Sequence, residues 1–169
     1  MLVYVLDAYA LIELESICAS DRDIRSCLNA MTTSVQSGEL TFPDRVVKHC
    51  RSFDPDGHGY LWSHASSGHR HEHEAPDACI TRVMINSPEI MSDDQDSKEN
   101  SDLAATPVDV LALAISLHDR GATPVIVSGE PGTLPDRETL ATIAPTFSIR
   151  VITPAQYMHL EGLGQHLAA

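Results

Sequence analysis

The chain has 169 residues, 43% of them hydrophobic, and 11 basic against 24 acidic side chains give a formal net charge of −13. Such a length buries a core without disulfide or metal staples, and such a composition excludes a disordered chain. The charge excludes a protein that coats nucleic acid non-specifically, because neutralising phosphates takes clustered Lys and Arg. It is neutral toward a metal-dependent nuclease whose carboxylates hold the cation. No apolar run approaches a membrane span. The start of the chain has no basic region and no cleavage signal, since Asp7 interrupts the apolar opening. The expectation is a cytoplasmic protein without membrane contact. Cys18, Cys27, Cys50 and Cys79 form no CxxC pair, so free, buried thiols are expected.

Residues 2–6 are a short apolar run suited to a strand buried on both faces, and the run ends at Asp7. Residues 8–17 read as a helix, and 21–36 as a second one with Ile24, Leu28, Met31 and Val35 on one side and Gly38 as its stop. A short strand is expected at 40–42, followed by a helix that Pro43 opens and that runs through Phe53. After the turn-rich stretch 54–59 come a short helix with the single tryptophan, Trp62, then a polar loop at 66–74 and a helix at 75–85. Residues 92–105 are expected to be a flexible acidic loop. The rest alternates: helix 106–120 ended by Gly121, strand 124–127, helix 136–144, strand 149–152, helix 154–161. Strands separated by helices imply a parallel sheet between helical layers, in one domain spanning 1–169.

In open α/β sheets the working crevice lies beyond the carboxyl ends of the strands. Asp7 follows the first strand directly, Glu130 follows the strand 124–127 closely, and Asp109 starts the helix that feeds that strand. Three acids distant in sequence are thereby expected at one end of the sheet, where hard oxygen ligands suit Mg²⁺ or Mn²⁺. Such ions activate water and stabilise the leaving charge in phosphodiester hydrolysis. Each acid also has a local reading. Asp7 caps the next helix, Glu130 is a surface loop residue, and Asp109 is the N3 acid of a capping box with Thr106 as N-cap and Pro107 at N1.

Tyr4-Val5-Leu6-Asp7-Ala8-Tyr9-Ala10-Leu11-Ile12 resembles the opening of PIN domains, where a strand ends in the first metal-binding Asp. Residues 109–114, Gly121 and Val125-Ile126-Val127-Ser128-Gly129-Glu130 resemble that family's later helix–strand unit, with one acid before an Ala-rich helix and another after a strand ending in Thr or Ser. Phe42-Pro43 to Cys50, Trp62 and Pro88-Glu89-Ile90 are similar to a VapC-like subfamily of about this length. The resemblance implies a PIN-like three-layer α/β/α sandwich with a central parallel sheet. It implies a metal-dependent endoribonuclease, the toxin of a bacterial toxin–antitoxin pair, with Mg²⁺ or Mn²⁺ as cofactor. Its implied partners are an RNA substrate and a cognate antitoxin protein, and a homodimer is allowed. On this reading Asp7, Asp109 and Glu130 are the catalytic metal ligands, and His49 or Asp44 completes the ring. Ser128 either orients a metal-bound water or satisfies a backbone group. Arg45, Lys48 and Arg51, three apart along one helix, are RNA-contact candidates or an ordinary solvated face.

The chain departs from the family pattern in two places. His49 stands where the third helix usually carries Glu, with Asp44 five residues earlier, and one alignment puts Pro107 rather than Asp109 at the third-acid position. These departures support the alternative function, a catalytically degenerate PIN-fold binding protein acting through a protein partner. His69, His71 and His73, near His58 and His64, are expected to be a solvated loop rather than a Zn²⁺ or Ni²⁺ site.

Overall fold

The computed structural model describes residues 1–92 and 98–169, and for 98–102 the backbone alone. The apolar opening forms strand β1 (Leu2–Leu6), buried from Val3 onward. Helices α1 (Ala8–Ile17) and α2 (Asp21–Ser37) follow, and α2 stops at Gly38, whose φ of 83° is left-handed backbone that glycine adopts without strain. Strand β2 (Leu40–Thr41) is only two residues long. Helices α3 (Asp44–Phe53), α4 (His58–Ser66) and α5 (Asp77–Asn86) come next, then a 3-10 turn at Pro88–Ile90. Helix α6 (Lys98–Asp119) leads into β3 (Thr123–Val127). Helix α7 (Leu140–Ile143), strand β4 (Arg150–Ile152) and helix α8 (Pro154–Leu160) complete the order.

The strands form one sheet in the order β2-β1-β3-β4, and every pairing is parallel. β1 and β3 are therefore the two central strands, which is why their sequences are continuous apolar runs rather than alternating ones. The crossover from β1 to β2 runs one way across the sheet and the crossover from β2 to β3 runs the other. With right-handed connections, α1 and α2 cover one face and α6 the other, giving three layers. A single buried cluster joins them, with Val5, Leu11, Val35, Phe42, Leu111, Ile126 and Met158 among its members. Among the described residues no helix is long and apolar enough to cross a membrane.

Three expectations need correction. Helix α6 begins at Lys98, not at Thr106, so Pro107 lies inside it and the capping box of Thr106 and Asp109 does not form. An interior proline costs roughly 3 kcal/mol. The burial of Val108, Val110, Leu111, Leu113 and Ile115 on the same helix offsets that cost. The expected acidic loop at 92–105 falls partly outside the described residues, and from Lys98 onward the backbone is helical. The helix expected over 136–144 shrinks to Leu140–Ile143, because the Thr139 side chain caps it by accepting from the Thr142 N–H. The four cysteines are free thiols, three of them buried, as their spacing suggested.

Candidate functional site at the carboxyl ends of β1 and β3

Leu6 of β1 is level with Val127 of β3, so the residues that leave the two strands, Asp7 and Ser128, emerge side by side. From this point the chain turns toward β2 after β1 and toward β4 after β3, which makes the gap between the two ends the switch point of the sheet. Asp7 is 2% exposed, a costly place for a carboxylate. Its Oδ1 accepts from the Ala10 N–H at 2.7 Å, which caps α1, and from the Gly129 N–H at 3.3 Å. Its Oδ2 accepts a short hydrogen bond from the Ser128 hydroxyl, and the Ser128 oxygen in turn accepts from the Glu130 N–H at 3.2 Å. Burial above all pushes the Asp7 carboxyl up to about 7; the charge of Glu130 adds to the rise, while the hydrogen bonds from Ser128, Ala10 and Gly129 oppose it.

Gly129 permits this approach. A Cβ there would collide with the Tyr9 carbonyl oxygen at the start of α1 and crowd the Glu13 carboxylate. The Glu130 side chain is 3% exposed. Its Oε1 holds the Arg137 guanidinium at 2.5 Å, and its Oε2 accepts from the Leu140 N–H at 2.8 Å, at the start of α7. Arg137 is 8% exposed at its side chain, and its second terminal nitrogen donates to the Glu138 carbonyl at 2.9 Å.

A small cavity lies between these groups. Asp7, Tyr9, His49, Thr106, Pro107, Glu130 and Arg137 are among its lining residues. The His49 ring sits edge-on to Tyr9 at 5.2 Å, and its buried Nδ1 has no hydrogen-bond partner among the described residues. Burial, helped by the positive charge of Arg137, holds the imidazole down to about 4, so His49 is neutral at ordinary pH.

The other candidates lie elsewhere. Asp109 is two residues past Pro107 on α6, about 200° around the helix, and is not among the cavity residues. Its carboxylate pairs with Arg45 of α3 at 2.7 Å; burial pushes its pKa up, against the pull of Arg45 and Lys48. Asp44 is largely exposed and pairs with Arg70 at 2.7 Å. Lys48 and Arg51 are exposed on α3. Arg70 anchors the His-rich loop together with His71. Its guanidinium donates to the Phe42 and Ser67 carbonyls and lies over the Phe42 ring. His71 meets the Gln36 carbonyl at 2.8 Å.

Arg137 and Thr106 are the site residues that sequence reasoning missed. An arginine seven positions after a strand-end acid carries no periodic or motif signal, and Thr106 was assigned to a helix cap.

The donor set does not fit a divalent ion as it stands. Among the described residues no three His, Cys, Asp or Glu side chains are grouped to hold a metal. All four carboxylate oxygens of Asp7 and Glu130 already accept hydrogen bonds. The guanidinium on Glu130 places a positive charge where the ion would bring its own. Fold and site together define a three-layer α/β protein with a buried carboxylate pair at the switch point of a parallel sheet. Beyond that class, the sequence matches no protein-family model, and no curated protein matches it.

Proposed function

We propose that this chain is a PIN-like domain whose acidic centre has ceased to be a metal catalyst, and that it acts by binding a protein partner. One observation carries this reading. Among the described residues, Asp7 and Glu130 share their cavity with His49, Thr106, Pro107 and Arg137 rather than with further carboxylates. A phosphodiester-cleaving centre needs negative ligands that gather cations beside the substrate phosphate. Here a neutral imidazole, a hydroxyl, a proline ring and a guanidinium take those places, and Asp109 of α6 pairs with Arg45.

The experiment is incubation of the purified protein with single-stranded and structured RNA in Mg²⁺ or Mn²⁺. The expected result is no cleavage above that of the Asp7→Asn variant. Cleavage that needs the ion and disappears in Asp7→Asn would overturn the reading. It would favour the second one, a metal-dependent endoribonuclease acting as the toxin of a toxin–antitoxin pair. That second reading is supported by the convergence of Asp7, Ser128 and Glu130 at one end of the sheet.

A further inference from the structure

Arg137 is the cation of the cavity. It lies on the segment between β3 and α7, where Pro131, Pro135, Asp136 and Glu138 are exposed, yet its own side chain is almost wholly buried. Among the described residues, the polar contacts that hold the segment include the Glu138 N–H on the Glu89 carbonyl at 2.8 Å and the Ser92 hydroxyl on Asp136 at 2.6 Å. Burying a long charged side chain from such a segment needs a compensating partner, and Glu130 Oε1 is that partner. The Glu130 backbone N–H donates to the Ser128 hydroxyl, which donates to Asp7, and the carboxylates of Asp7 and Glu130 line the same cavity. One guanidinium and two carboxylates therefore meet in one cavity at the switch point.

We propose that Arg137 is a tethered cation that substitutes for a divalent ion in the cavity lined by Glu130 and Asp7, so that removing its charge turns the cavity into a divalent-cation site. With the guanidinium gone, Glu130 Oε1 loses its partner in the cavity that Asp7 also lines, and two buried carboxylates with one unsatisfied oxygen attract a hard cation. The inference rests on the reading of the centre as one without a resident metal.

The test uses Mn²⁺ itself as probe, read by its paramagnetic resonance and by thermal unfolding. The parent protein should hold no Mn²⁺ that depends on Asp7. Arg137→Met, which keeps the aliphatic stem, should bind one Mn²⁺ and gain about 5–10 °C in Tm at an ion concentration one hundred times its Kd. Arg137→Lys, which keeps the charge, should show no such site, and Asp7→Asn/Arg137→Met should lose it. Should Arg137→Met be unfolded alone, recovery of the fold on adding Mn²⁺ supports the proposal equally. An Arg137→Met chain to which Mn²⁺ neither binds nor gives stability overturns it, and so does Asp7-dependent Mn²⁺ binding by the parent. RNA cleavage by the parent would instead strike the functional reading, so the two failures are distinguishable.

Discussion

Arg137–Glu130 and Arg45–Asp109 are both arginine–carboxylate pairs, with closest approaches of 2.5 and 2.7 Å. Their surroundings differ. At the end of the sheet the side chains are 8% and 3% exposed, whereas between α3 and α6 they are 33% and 22% exposed. In the first place each charge depends on the other, because water cannot replace a lost partner. In the second, solvent screens the pair and would rehydrate either survivor. The same chemical contact is thus a structural necessity in one region and a minor adjustment in the other, and geometry alone would not separate them.

The largest expected effect tests that difference directly. Arg137→Met should destabilise the metal-free protein by about 3–5 kcal/mol in denaturant unfolding, the range for breaking a buried pair on one side. Replacing both partners, as in Glu130→Gln/Arg137→Met, should recover most of the loss, since the glutamine oxygen still accepts from Leu140. Arg45→Met should cost less than ~1 kcal/mol. Equal costs at the two sites would break the comparison.

Gly129→Ala comes next. The added methyl meets the Tyr9 backbone, which has no free rotor to yield. The expected cost is about 1–3 kcal/mol by overpacking, with the Gly129 N–H pulled from Asp7. A neutral result would mean that α1 and the end of β3 are held less tightly than their contacts imply.

Two groups of the buried site should give pH dependences of opposite sign in the presence of a chelator. Asp7 has a folded pKa of about 7 against an ordinary value of 3.8, so between these values the folded protein binds more protons than the unfolded one. Its contribution is fully present below 3.8 and is lost as pH rises toward 7. His49 has a folded pKa of about 4 against 6.5, so the unfolded protein binds more protons in that window, and stability falls as pH falls from 6.5 to 4. The two slopes oppose each other in the parent. Asp7→Asn should leave a stability that climbs with pH through the His49 window, and His49→Gln should leave one that declines with pH through the Asp7 window. Each slope has a ceiling of about 1.4 kcal/mol per pH unit. Chemical unfolding across pH 4 to 8 measures both, and slopes of the same sign would refute the assignment.

The smallest effect sharpens the other side of the comparison. Asp109→Asn should change stability by less than ~1 kcal/mol and create no new pH slope of the size seen at Asp7, because Arg45 and water share its charge. A loss of several kcal/mol would mean that the α3–α6 seam is as dry as the end of the sheet.

Much of this organisation was legible along the chain, because it rests on local causes. The apolar run before Asp7 is too short for a buried helix and suits a central strand, and β1 is one. The spacing of Ile24, Leu28, Met31 and Val35 places them on one face of α2, and all four are buried. Gly38 stops that helix in the left-handed region that its side-chain-free backbone allows. The parallel alternation of helix and strand then carries Asp7 and Glu130 to the same end of the sheet, whatever the packing details. Beyond that, local pattern loses its hold. Thr106-Pro107-Val108-Asp109 reads as a helix start, but a helix end is fixed by which neighbouring turn finds burial, and the burial of Ala104 carries α6 past the proline. Once that happens, the phase of α6 against the sheet turns Thr106 and Pro107 into the cavity and Asp109 toward Arg45. Arg137 was silent for the same reason. Which cation answers Glu130 depends on the path of an irregular segment, and that path is set by contacts with residues far away in sequence, such as Glu89 and Ser92. Sequence determined that two acids would meet at the switch point; tertiary packing decided which charge would neutralise them, because desolvation is a property of the assembled site and of no residue alone.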